Sequence, residues 1–352
     1  MDHLGGWVDK SLYLCFEEPR PDDSRRLVMR GCGLEELIFR HGRRLTVGDV
    51  PGRYRRENVD AMRAAPIAKL ELFATRDNSP VAPGCFTFGS KIVFVGRHET
   101  LVFETDSDVD PNPELVPSNI VLPFQHHNPF PILVRQRGIR TLLALASNIE
   151  AQTFFEQLSL PADPQDPWTP LPEPLLGAHL GRFACVFADT KILVSGLLDG
   201  IYMFDARVPE RGWRPRSQSL GLQHLPWDKR ALVYGFNGDF IVIAYSSNRP
   251  WMLSAYFMAY NCDYLHLMLD PMPIMPPHLH PPPTNWAFAP VEDRKFTLVM
   301  TNHHDFFTYV TVWTYEILMG EGFEIVLLGT RHFTVAPAEG NGNPHLLGAF
   351  VL

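Results

Sequence analysis

The chain has 352 residues, 45% hydrophobic and 20% charged, so it can bury a large core and is not a disordered tail. Its 32 prolines are roughly twice the usual ~5% share. Proline removes an N–H that helix interiors need, which argues against a helical bundle. A formal charge of −8 gives no overall drive toward nucleic acid or an anionic membrane.

The N-terminus, Met1-Asp2-His3-Leu4-Gly5-Gly6, lacks the basic and then apolar run of a secretory signal. The most apolar stretch, 240–260, is interrupted by Ser246, Ser247, Asn248, Arg249 and Pro250, so it cannot span a bilayer. Five cysteines form no C-x-x-C pair, which fits reduced thiols rather than a disulfide framework or a zinc site. A cytoplasmic or nuclear location is the expectation.

Strand-like runs dominate in chain order: 11–17, 68–75, 91–95, 101–104, 141–146, 153–158, 191–195, 201–204, 240–245, 252–258, 296–301, 308–317 and 324–328. They are short, β-branched or aromatic, and bounded by Gly, Pro, Asn or Asp. One short helix is expected over 33–40. The fold class is therefore all-β.

A repeat organises these runs. Lys91-Ile92-Val93-Phe94-Val95-Gly96 leads after four residues to Leu101-Val102-Phe103-Glu104. Lys191-Ile192-Leu193-Val194-Ser195-Gly196 leads after four residues to Ile201-Tyr202-Met203-Phe204-Asp205. Each copy reads as a hairpin. A third strand pair lies between them at 141–146 and 153–158. Trp168 and Trp213 follow the last two pairs, each beside proline.

A period near 50 with paired strands and a terminal Trp is the mark of propeller blades, small sheets that cover one another radially. Six four-stranded blades are favoured over seven, in a single domain spanning 1–352. The run 11–17 is expected to pair with 324–328 to close the ring. Segment 31–65 reads as a basic loop or short-helix insertion, and 271–284 as a Pro-rich inter-blade loop. The alternative architecture is a pair of β-sandwiches.

The hairpins resemble kelch-type blades. Lys91-Ile92-Val93, Phe155-Glu156 with Trp168 and Leu171-Pro172-Glu173-Pro174, and Gly200-Ile201-Tyr202-Met203-Phe204-Asp205 with Trp213 carry the likeness. They are closest to a plant family of uncharacterised kelch-type proteins, expanded in grasses, and the likeness covers about 85–260. Kelch blades usually have a Gly pair where Gly96 and Gly196 stand alone. No F-box is read in 1–65, and the resemblance implies no activity or cofactor.

Residues that might hold chemistry read as surface features. His126-His127, His278, His280 and His303-His304-Asp305 are possible metal ligands, but adjacent residues on a strand face opposite ways and both doublets read as turns. Seven arginines (Arg40, Arg43, Arg44, Arg53, Arg55, Arg56 and Arg63) form a basic stretch with little aromatic interleaving, which argues against nucleic acid. The chain lacks G-x-S-x-G, a P-loop and H-E-x-x-H. No catalytic residue, metal or cofactor is expected.

The reading is a non-enzymatic propeller that binds a protein or peptide through loops on one face. The candidate partner-binding residues are Arg97, His98, Glu99, Asp199, Asn248, Arg249, His303, His304 and Asp305. The alternative is a propeller-type hydrolase or lyase, which would need carboxylates, His or Arg converging on the central channel. A third reading has Trp168, Trp213 or Trp286 exposed to stack on carbohydrate.

Overall fold

The computed structural model describes residues 10–22, 24–34, 45–46, 68–77, 84–88, 90–95, 100–105, 116–118, 127–136, 139–147, 153–160, 168–173, 183–195, 200–227, 229–246, 252–261, 264–267, 272–274, 283–292, 294–304, 307–320, 322–335 and 342–352.

These residues form six separate antiparallel sheets, each built on four successive strands. From the inside outwards, blade 1 is His345–Val351, Ser11–Pro19, Arg25–Gly33 and Glu71–Arg76. Blade 2 is Gly84–Phe88, Lys91–Val95, Thr100–Glu104 and Val116–Ser118. Blade 3 is His127–Gln136, Ile139–Ser147, Thr153–Leu160 and Thr169–Pro170. Blade 4 is Phe183–Phe187, Lys191–Ser195, Ile201–Asp205 and Arg214–Pro215. Blade 5 is Leu232–Phe236, Asp239–Ser246, Met252–Asn261 and Tyr264–Leu267. Blade 6 is Asn285–Glu292, Lys295–His304, Phe307–Met319 and Phe323–Val335.

The core explains why the middle strands are apolar at nearly every position. Six hydrophobic clusters each join two neighbouring blades. Along Ser11–Pro19, Leu12, Leu14 and Phe16 pack against blade 6, whereas Tyr13 and Cys15 pack against blade 2. Successive strand residues point to opposite faces, and here both faces meet a neighbour. The six-fold cycle of contacts closes without a free face, so the fold is a six-bladed β-propeller.

Tryptophans sit at several boundaries. Trp168 packs against the cluster between blades 2 and 3. Trp213 lies between blades 3 and 4, with ring centroids 5.1 Å from Phe155 and 5.2 Å from Phe204. Its Nε1 donates to the Pro172 carbonyl at 2.9 Å. Trp227, not singled out above, is buried between blades 4 and 5. It follows a single helical turn, Ser217–Leu220, whose Ser217 Oγ accepts the Ile201 N–H at 2.8 Å.

Ring closure differs from the expected pairing. Ser11–Pro19 is indeed the N-terminal partner, but it pairs with His345–Val351. The run 324–328 belongs instead to the outer strand of blade 6. Ser11 N–H donates to the Leu352 carbonyl at 2.9 Å, and Leu352 N–H returns the bond at 3.2 Å. The run 68–75 is also divided: Ala68–Lys69 runs parallel to blade 6, and Glu71–Arg76 belongs to blade 1. Leu45–Thr46 pairs with the same outer strand of blade 6. The expected helix over 33–40 and the seven arginines lie outside the described residues, apart from Gly33 and Leu34. Met272–Pro273, within 271–284, pairs with Met252–Asn261.

Candidate functional site at the axis of the ring

The two ends of the ring are built differently. At one end, the first residue of the second strand meets an acid at the end of the third. Lys91 Nζ is 2.9 Å from Glu104 Oε2, and Lys191 Nζ is 3.2 Å from Asp205 Oδ2. A backbone bond recurs beside them: Thr105 N–H to Ser90 O, Ala206 N–H to Thr190 O, and Ile317 N–H to Arg294 O. These bonds lock the turn between the first two strands against the third. Asn237 and Gly238, with φ of 48° and 89°, make the corresponding two-residue turn of blade 5.

Lys191 is buried, and its ammonium also lies 5.1 Å from the Tyr260 ring centroid. Burial alone would raise the Asp205 carboxyl. Hydrogen bonds and charge from Arg207 and Lys191 outweigh it and hold the group below the usual carboxylate range. This framework end holds a small cavity of about 140 Å³ lined by Asp205, Arg211 and Tyr260.

At the other end, the inner strands begin and the second strands turn into the third. Most expected partner-binding residues belong to those connections. Arg97, His98, Glu99, Asp199, Asn248, Arg249 and Asp305 lie outside the described residues. The strands flanking them place all four connections at equivalent positions of blades 2, 4, 5 and 6. His303 and His304 differ from the expected loop. They remain in the ladder, opposite Thr308 and Phe307, because cross-strand pairing continues to His304. His303 Nδ1 shares a 2.9 Å hydrogen bond with Thr308 Oγ1.

The same end carries a polar group that was not expected. Lys229 Nζ donates to Asn285 Oδ1 and, at 3.1 Å, to the Trp286 carbonyl. It also stands 5.3 Å from the Trp286 ring centroid. Asn285 Nδ2 donates to His345 Nε2 at 3.2 Å and to the Leu346 carbonyl. Beside His345, the buried Glu17 carboxylate is paired with Arg25. Burial, with Lys229 and Arg25 nearby, lowers the His345 pKa against the opposing pull of Glu17. Burial and His345 also lower His303, so the two imidazoles feel each other.

Below this group is a cavity of about 410 Å³, walled by inner strands of five blades. Arg230 reaches across it to donate from Nη2 to the Pro131 carbonyl of blade 3. Its side chain keeps partial exposure because it faces the cavity, yet protein surrounds it. Burial lowers its pKa. Burial also pushes the Cys85 thiol up to about 12, although Arg230 pulls the other way. Cys15, Cys32 and Cys85 form no disulfide, and no three His, Cys, Asp or Glu side chains of the described residues group as metal ligands. No helix among them is long and apolar enough to cross a membrane. Trp286 is buried and Trp168 and Trp213 are half-buried between blades. That is not an exposed sugar-stacking platform.

Sequence reasoning missed Lys229, Arg230, Asn285 and His345 because they lie in different blades and meet only through ring closure. The Asn237-Gly238 turn was a usable signal for the strand that follows Arg230.

No family model matches the chain, and no curated protein does. Several solved structures are similar in chain path. The Aleuria aurantia lectin in complex with α-methyl-L-fucoside matches with 10% identity and a TM-score of 0.42, covering 94% of this chain and 96% of that one. Kluyveromyces lactis Hsv2 with its complete loop 6CD matches with 9% identity and a TM-score of 0.37, covering 95% and 99%. A bifunctional GH43-CE protein of Bacteroides eggerthii matches with 10% identity and a TM-score of 0.37, covering 75% and 36%. The blade assignment above rests on the hydrogen-bonded sheets, not on these likenesses.

Proposed function

We propose that the protein is a non-enzymatic β-propeller scaffold that binds a protein or peptide partner on the face where second strands turn into third strands. The observation that carries this reading is the contrast between the two ends. At the framework end the ion pair recurs in blades 2 and 4, and the turn-locking bond in blades 2, 4 and 6. The four connections at the other end differ in charge: Arg97-His98-Glu99, Leu198-Asp199, Asn248-Arg249 and Asp305. Varied loops on a rigid scaffold are where recognition residues collect. The resemblance of the hairpin motifs to kelch-type blades supports our reading of a kelch-like plant propeller, and a cytoplasmic or nuclear location is part of the same proposal.

Chemistry at the axis supports binding over catalysis. His345 is engaged by Asn285, and the adjacent Glu17 is held by Arg25. The Cys85 thiol, with its raised pKa, gives little thiolate at neutral pH and so makes a poor nucleophile.

Affinity capture from plant tissue extract tests the reading. Partners retained by the native chain should be lost when residues 97–99, 198–199, 247–249 and 305–306 are replaced by Gly-Ser. Survival of the same partners would reject the face.

A further inference from the structure

Three sulfur-bearing side chains meet in the hydrophobic cluster that joins blades 1 and 2. Cys15 and Met29 belong to that cluster, and Cys85 packs against it. Cys15 and Met29 are directly opposite each other on the second and third strands of blade 1, and Cys85 is on the inner strand of blade 2. Cys15 Sγ donates to Met29 Sδ at 3.3 Å. On its other side Cys15 is paired with Gly348. Opposed residues of an antiparallel ladder carry their Cβ atoms on one face, about 4.5–5.5 Å apart. Gly348 has no Cβ, and Cys85 Sγ stands 2.5 Å from where one would be. The missing side chain lets the thiol of blade 2 reach toward the thiol of blade 1. Burial raises the Cys15 pKa, and Cys85 adds to the rise, so the two thiols feel each other.

Two thiols and a thioether are soft donors, and such a set suits copper(I) better than zinc, which favours a closed four-ligand shell. From this we infer that Cys15, Cys85 and Met29 form a copper(I) site between blades 1 and 2. Binding replaces two S–H bonds by two Cu–S bonds and releases two protons to solvent. The thioether adds through a lone pair, and the metal stays copper(I). One copper(I) with two thiolates carries a single negative charge, which the Arg230 guanidinium beside Cys85 offsets. Cys85 lines the open axial cavity, so an ion has a path to the site from solvent. Without the metal, burial keeps both thiols protonated. Only an ion with strong affinity for thiolate displaces those protons, which adds to the selection for copper(I). No local spacing marks the site in the sequence, because its two cysteines belong to different blades. It lies within the framework of the ring and is independent of the loop face proposed for a macromolecular partner.

Anaerobic titration of the full, reduced chain against copper(I) held by bicinchoninate tests it. The native chain should withdraw one equivalent from the chromophore and melt at a higher temperature, since the ion links two blades. Excess zinc(II) should displace none of that copper. Cys85→Ala, at the cavity wall where it disturbs the core least, should lose the equivalent, and so should Cys15→Ala. Met29→Leu should keep it but hold it more weakly. Cys32→Ser should match the native chain, because Cys32 packs on the side of blade 6. Failure of the native chain to withdraw copper would overturn the inference. So would a full equivalent still held by folded Cys85→Ala. X-ray absorption of the copper-loaded native chain decides the matter even if the variants do not fold. A shell of sulfur alone supports the site, and nitrogen or oxygen ligands reject it.

Discussion

Strands in the middle of a blade and strands beside the axis meet different physical demands. Lys191–Ser195 is buried at every position, and Ser11–Pro19 at all but its two ends. These strands are hydrogen-bonded along both edges and packed on both faces. By contrast, Leu232–Phe236 has no fully buried residue, and Gly84–Phe88 has one. Such strands leave room at the axis and their composition is mixed, although Asn285–Glu292, the inner strand of blade 6, keeps four of its eight residues buried. The middle strands hold the ring together. The inner strands gather Cys85, Asn285 and His345 around Lys229 and Arg230, which lead into blade 5.

The largest expected effect is the sharpest test of that division. Phe296→Ala, in a middle strand and fully buried, should cost about 3–5 kcal/mol. Phe236→Ala, in an inner strand and half-buried, should cost about 1–2 kcal/mol. Urea denaturation of both variants measures the gap, and equal losses would break the comparison.

A smaller effect should come from a tight spot on the inner strand of blade 1. A Cβ at Gly348 would stand 2.5 Å from Cys85 Sγ and 3.2 Å from the Phe350 ring. Gly348→Ala should therefore destabilise the fold by about 1–3 kcal/mol. Gly348→Ala combined with Cys85→Ala should recover most of that loss. A thermal melt with no change in Gly348→Ala would show that the inner strands yield more readily than their spacing implies.

The smallest effect is in the pH dependence. His345 on an inner strand, and His303 and His332 on the second and fourth strands of blade 6, all have lowered pKa values, with burial as the main cause. A lowered folded value means that the unfolded chain takes up the proton first. The stabilisation is full above the unfolded value of about 6.5 and is lost as pH falls through the folded values. Melting temperature should decline below that pH, and His345→Gln should lessen the decline. An identical slope in His345→Gln would assign the effect to His303 and His332.

Legibility in the sequence follows the same division. Lys91–Val95 and Lys191–Ser195 were delimited from their residues alone, because strands buried on both faces are continuous apolar runs. None of the six inner strands was found. Gly84, Pro131, Gly235, Pro290 and Gly348 interrupt them, and partial burial leaves no clean alternation. Trp168 and Trp213, legible as the tryptophans that end two repeat units, pack between blades. The polar group at the axis was not legible. Lys229, Asn285 and His345 are far apart in sequence, and no spacing rule links them before the ring closes.

Pairing of His345–Val351 with Ser11–Pro19 also sets a timetable. A ribosome delivers Ser11–Pro19 long before it delivers His345–Val351. Throughout that interval the first blade has an unpaired inner edge of nine residues, Ser11 to Pro19. Such an edge is a template for another chain, including a second nascent copy. The edge stays open until His345–Val351 emerges, so crowding of ribosomes on one message should lower the yield of closed rings.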